Sequence, residues 1–149
     1  SGRETVLDLY CGIGTITLFL AREAGEVIGI EWVEEAVRDA WTNAERNGVR
    51  NVRFVAGDAA VEMPKLVAEG VQADVVVLDP PRRGCDGSVL EAIAKVGPQR
   101  VVYVSCNPAS LARDLSHLRT LGYRTVEIQP VDMFPHTAHI ECCALLTKM

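Results

Sequence analysis

Two hydrophobic rhythms alternate along the chain. Short apolar runs rich in valine and isoleucine recur at Thr5–Tyr10, Glu26–Glu31, Asn51–Ala56, Ala73–Leu78 and Val101–Val104. Runs of this kind, bounded by Gly, Pro, Asn or Asp, read as strands buried on both faces, as in a parallel sheet. Between them lie stretches with helical spacing. Thr15–Glu23 would pack Ile16, Leu18, Phe19 and Leu20, and Val33–Arg46 is closed by Asn47-Gly48. Ala59–Glu69 reads as helix in spite of Pro64, and Ser88–Lys95 follows. A fifth helix has Asn107 where an N-cap belongs and Pro108 at the first helical position. It carries Leu111, Leu115 and Leu118 on one face and stops at Gly122. Two further strands are expected near Tyr123–Pro130 and His139–Thr147, with only Val131–Ala138 between them. A parallel crossover needs about a dozen residues, so one of these two must run antiparallel. The expected fold is α/β: a doubly wound, mostly parallel seven-stranded sheet with an antiparallel strand near the C-terminus, forming a single domain over residues 1–149.

Composition narrows the class of protein. A 149-residue chain with 48% hydrophobic residues can build one globular core. No apolar run approaches the ~20 residues of a membrane span, and no basic-then-apolar leader pattern opens the chain. Five cysteines with no Cys-x-x-Cys pair indicate neither a disulfide framework nor a zinc knuckle. A reducing, cytoplasmic setting, a monomer and no bound metal are the expectations. The net charge of −5 does not describe a domain that grips nucleic acid unaided.

Candidate chemistry gathers at the carboxyl ends of the strands, where open α/β sheets bind ligands. Gly12 and Gly14 follow the first strand and allow a ligand close to the backbone. Glu31, at the end of the second strand, can accept both hydroxyls of a ribose. Asp58, after the third, can accept from an adenine amino group. An adenosine-containing cofactor suits this set. The dinucleotide fingerprint would need a third glycine where Thr17 stands. Asp8 is an acid where a pyrophosphate would sit, and it favours the cationic amino and sulfonium groups of S-adenosylmethionine. Solvated strand-end acids are the plain alternative for each of these carboxylates. An NAD-dependent oxidoreductase is the rival enzyme class.

In Asp8-Leu-Tyr-Cys-Gly-Ile-Gly14, Glu31 and Gly57-Asp58 the chain resembles class I S-adenosylmethionine-dependent methyltransferases. Asp79-Pro-Pro-Arg82, Ser105-Cys106-Asn107-Pro108 and Pro135-His-Thr-Ala-His-Ile-Glu141 together make it similar to the bacterial RNA 5-methyluridine methyltransferases, from Leu7 to Leu146. The resemblance implies a Rossmann-like methyltransferase sheet and methyl transfer to carbon 5 of a uridine in rRNA or tRNA. It gives Cys106 the role of nucleophile at carbon 6, Glu141 that of the base removing the carbon 5 proton, and Asp79 a hold on the uracil edge or on proton movement at O4. Asp8, Tyr10, Gly12, Gly14, Glu31, Asp58 and Asp79 would surround the cofactor, and Arg82, Asn107 and Pro108 would face the RNA.

The chemistry explains the residue types. Carbon 5 of uracil is a poor nucleophile until a thiolate adds to carbon 6, and a base must later release the product. A helix N-terminus beside Cys106 favours an anion there. As a base, Glu141 should be partly desolvated by Ile140 and Ala144. Arg82 departs from the aromatic residue that methyltransferases of nitrogen carry at this place. Cys106 could otherwise be a small buried thiol.

His136 and His139 lack a third ligand and read as solvated or packing residues. Cys11, Cys85, Cys142 and Cys143 read as core or near-core filler. Phe134 and Tyr10 are equally suited to stacking on a base and to packing. Because the chain begins almost at its first strand, a longer protein is expected. The resemblance implies an RNA-binding region upstream, along with any iron–sulfur ligands. A cofactor-binding piece without activity of its own is the third reading, and neither the RNA nor the uridine can be named from these residues.

Overall fold

A computed structural model describes residues 2–149, leaving Ser1 outside. The elements follow in the order β1 (Thr5–Leu9), α1 (Thr15–Leu20), β2 (Glu26–Glu31), α2 (Glu34–Arg46), β3 (Val52–Ala56), α3 (Ala59–Ala68), β4 (Val75–Leu78), α4 (Gly87–Val96), β5 (Arg100–Ser105), α5 (Pro108–Thr120), β6 (Tyr123–Val131) and β7 (Glu141–Lys148). They form one seven-stranded sheet in the order β3-β2-β1-β4-β5-β7-β6. Strand pairs from β3 through β5 are parallel, and β7 runs antiparallel to both β5 and β6. The strand reversal expected from the short Val131–Ala138 link therefore falls on β7.

Alternation along the strands divides the core in two. Leu7, Leu9, Ile28, Ile30, Val76, Leu78, Val101 and Tyr103 face α3, α4 and α5. Val6, Val27, Val75 and Val77 face the other way, with Val37, Ala40 and Ala44 of α2. Leu111, Leu115 and Leu118 are buried as the helical spacing predicts, and α5 closes at Leu121 before Gly122, whose φ of +96° suits glycine.

The first helix departs from expectation. It stops at Leu20, and Phe19 is 67% exposed rather than packed. Its fully buried position is Thr17, whose hydroxyl donates to the Asp8 carboxylate at 2.6 Å. A buried acid must find a donor, and that need turns the helix so that its threonine faces the sheet.

Candidate active site

The first β–α turn carries most of the cofactor-side candidates. Tyr10 has a φ of +63° and Gly12 and Gly14 have φ of +54° and +86°. This left-handed run reverses the chain within a few residues, and Gly14 caps α1. Asp8 is wholly buried behind it. Its Oδ2 accepts from Thr17, whereas Oδ1 has no partner. Burial raises the Asp8 pKa to about 7, against the Thr17 hydrogen bond and with help from the nearby Asp79 charge.

Glu31 ends β2 with Oε2 accepting from the Gly12 amide at 3.0 Å and Oε1 from the Val33 amide at 2.9 Å. The acid thus ties the glycine turn to the second strand, and each oxygen keeps a further lone pair. Asp58 caps α3 by accepting from the Ala60 amide at 2.8 Å. Beside Tyr10 and Asp58 lies a cavity of about 130 Å³ whose lining also includes Trp32, Gly57 and Ala59, but not Asp8, Gly12, Gly14 or Glu31. Trp32 was not singled out from the sequence. The available signal was its place, an aromatic residue directly after the acid that ends a strand.

The second group is assembled by α5. Asn107 caps it, accepting from the Ala109 amide at 3.1 Å, and Pro108 opens it. The buried Ser105 hydroxyl accepts from the Asn107 amide and donates to the Asn107 carbonyl, which holds Cys106 in a tight turn, half-buried. The same helix end grips the Asp79–Gly84 loop. Asn107 Nδ2 and Ser110 Oγ both donate to the Arg82 carbonyl at 3.0 Å, and Arg113 donates to the Arg83 carbonyl at 2.8 Å. Both polar ends of the Asn107 side chain are thereby engaged within the protein.

Beneath this lies Asp114, 2% exposed, accepting from the Tyr103 hydroxyl at 2.6 Å, the Cys85 amide at 2.8 Å and Arg113 Nε at 2.9 Å. Gly84, at φ +81°, passes so close that a Cβ there would collide with the Asp114 carboxylate. Asp114 was missed by the sequence reading. Its signal was an acid on the same helical face as Leu111, Leu115 and Leu118.

Glu141 opens β7, half-buried. Ala144 lies on the opposite face of the strand, in the core beside Tyr103, and so does not screen Glu141 as expected. Arg82, Cys106, Phe134, His139 and Glu141 line a cavity of about 370 Å³. Burial, followed by the Glu141 charge, raises the Asp79 pKa, so these two carboxyls are electrostatic neighbours. His139 is exposed, and Arg82 approaches its Nδ1 at 3.3 Å. Burial pushes the thiols of Cys85 and Cys11 up to about 11 and 12, as suits packing residues. Among the described residues, no group of three His, Cys, Asp or Glu could hold a metal ion, and no helix is long and apolar enough to cross a membrane.

Comparison with known proteins identifies the fold and the family. The chain is 58% identical over 149 residues to an uncharacterized RNA methyltransferase of Caldanaerobacter subterraneus subsp. tengcongensis, covering all of this chain and 33% of that protein. It is 60% identical over 148 residues to another of Geobacter sulfurreducens, covering 99% and 30% respectively. The chain thus spans about a third of the length of these relatives. The crystal structure of Pyrococcus abyssi tRNA (uracil-54, C5)-methyltransferase in complex with S-adenosyl-L-homocysteine superposes with a TM-score of 0.83 at 35% identity, covering 99% of this chain and 35% of that one. The sheet is therefore that of a class I methyltransferase. The family model for tRNA (uracil-5-)-methyltransferases matches residues 1–149, and with the cysteine, carboxylates and arginine gathered at one sheet edge, this chain belongs to that family.

Proposed function

We propose that this chain is the catalytic domain of an RNA methyltransferase that carries a methyl group from S-adenosylmethionine to carbon 5 of a uridine in rRNA or tRNA. The observation that carries the proposal is the convergence of Cys106 and Glu141 in one cavity, with Asp79 as the electrostatic neighbour of Glu141.

The residues on the cofactor side fit S-adenosylmethionine. The unpartnered, buried Oδ1 of Asp8 is an acceptor awaiting a donor, and an ammonium supplies one. Glu31 and Asp58 retain lone pairs for ribose and adenine, and Trp32 and Tyr10 offer apolar surface to the purine. The cofactor, when bound, supplies an electrophilic methyl group on a sulfonium. Thr17, in place of a third glycine, and the acid at Asp8 both argue against a dinucleotide.

On the substrate side, the Cys106 thiolate adds to carbon 6 of uracil, and the carbon 5–carbon 6 π electrons move onto the carbon 4 carbonyl as an enolate. Carbon 5 then takes the methyl. Glu141 removes the carbon 5 proton, the double bond re-forms, and Cys106 leaves carbon 6 as a thiolate. Asp79 holds its proton more firmly than an ordinary carboxyl and is suited to hydrogen-bond the uracil edge. Asn107 and Pro108 shape the nucleophile's turn and the adjoining RNA-facing surface.

The test is intact-mass analysis of the protein at its natural full length after incubation with S-adenosylmethionine and RNA from cells grown on 5-fluorouracil. Fluorine at carbon 5 cannot leave as a proton, so the covalent species persists. An adduct mapping to Cys106, absent in Cys106→Ala, is expected. Equal methylation of ordinary RNA by Cys106→Ala would overturn the assignment. Absence of any adduct would leave a cofactor-binding module.

A further inference from the structure

Two loops from the strands flanking β5 meet at the Cys106 cavity. One is the Asp79–Gly84 loop after β4, whose Arg82 carbonyl is held by Asn107 and Ser110 of α5. The other is the turn before β7. There the Thr137 hydroxyl donates to the Phe134 carbonyl at 2.7 Å and accepts from the His139 amide at 3.2 Å, and His136 takes a φ of +66°. That φ is uncommon for a residue with a side chain, and here it folds the turn so that Phe134 and His139 both reach the cavity. The loops touch through their side chains, Arg82 to His139 Nδ1 at 3.3 Å. A guanidinium has only donors, so in this contact Nδ1 is the accepting atom.

Both residues are exposed, and a contact of this kind adds little to stability. Its consequence is positional. Arg82 is the cation lining the cavity, and one edge of its fork is held by His139. The remaining N–H groups are left for a substrate oxygen.

We infer that His139 is a positioning residue that orients Arg82 onto the O4 oxygen of the target uracil, which stacks on Phe134. This rests on the uracil methyltransferase reading above. When Cys106 forms its bond to carbon 6, the carbon 5–carbon 6 π bond breaks and the negative charge formerly on sulfur appears on O4. A guanidinium fixed in advance stabilises that oxygen in the transition state without having to reorganise. When Glu141 takes the carbon 5 proton and the carbon–sulfur bond breaks, the charge returns to sulfur. No other reactant is required.

The experiment uses the full-length protein, S-adenosylmethionine and 5-fluorouracil-substituted cellular RNA, with the single-turnover rate of adduct formation read at saturating RNA. RNA affinity is measured in parallel. His139→Leu should slow adduct formation about tenfold with little change in affinity, the size of one lost hydrogen bond to a charged group. His139→Asn, which offers an acceptor near the place of Nδ1, should recover the rate to within about threefold. Arg82→Lys should be slow by itself, and adding His139→Leu to it should cost nothing further, as coupled residues do. An unchanged rate in His139→Leu, no rescue by asparagine, or a loss confined to RNA affinity would each overturn the inference. If the unaltered protein forms no adduct, the underlying reading fails instead.

Discussion

Cys106 and Glu141 each lie one residue beyond the last rung of the β5–β7 ladder, Ser105 opposite Cys142, and both line one cavity. The antiparallel register runs from Arg100 opposite Thr147 to Ser105 opposite Cys142, so the chain leaves β5 at Cys106 next to where β7 begins at Glu141. The reversal of β7 brings its first residue to the same sheet edge as the end of β5.

Glu141→Gln keeps the size of the side chain and removes its basicity. Addition at carbon 6 and methyl transfer would proceed, but elimination would stall. The expected outcome with ordinary RNA is a covalent methylated RNA–protein species that survives denaturing electrophoresis. Rapid turnover without such a species would exclude Glu141 as the base.

Asp8 should make the stability of the ligand-free domain depend on pH. Its pKa rises from 3.8 unfolded to about 7 folded, so the folded state binds more protons between these values. Stability is then lost as pH rises through that window and levels off above it. Asp8→Asn should remove this slope. Denaturant titrations at pH 5 and pH 8 on both proteins check the sign. A cationic ligand that pairs with Oδ1 should flatten the wild-type slope as well.

Asp114→Ala should destabilise the domain by about 2–3 kcal/mol, since the Tyr103 hydroxyl and the Cys85 amide lose their acceptor. It should also loosen the Asp79–Gly84 loop. Gly84→Ala should act in the same direction, by collision and by its φ of +81°. Chemical denaturation supplies the magnitude, and comparison with an exposed control such as Glu91→Ala supplies the reference.

Trp32→Ala should weaken cofactor binding about tenfold, the loss expected for an aromatic wall beside adenine. Calorimetry with S-adenosylhomocysteine checks it. Trp32 is 71% exposed and outside both core clusters, so folding stability should change little.

Much of the fold was legible because the hydrophobic effect writes itself locally. Val101–Val104 can be buried on both faces only inside a sheet, and Asn107-Pro108 can start only a helix of defined phase. Phe19 was misread for a related reason. Apolar spacing along a short helix does not reveal a buried carboxylate on the neighbouring strand, and it was Asp8 that drew Thr17 inward. Ala144 was misassigned because alternation along a strand puts residues three apart on opposite faces, so a neighbour in sequence is not a neighbour on the Glu141 face.

The sequence by itself determined which residue types were available and which strand ends would carry them: Asp8 and the glycines after the first strand, Asp79 after the fourth, Cys106 after the fifth. It also required that one late strand reverse. Only the tertiary structure decided that this strand is β7, inserted between β5 and β6. That insertion brings Glu141 to the Cys106 cavity, while Asn107 and Ser110 of α5 hold the Arg82 loop there and the Thr137 turn carries His139 to it. These residues lie far apart along the chain, and pairing over such distances is fixed by the cooperative burial of the whole sheet, not by any local preference of the residues involved.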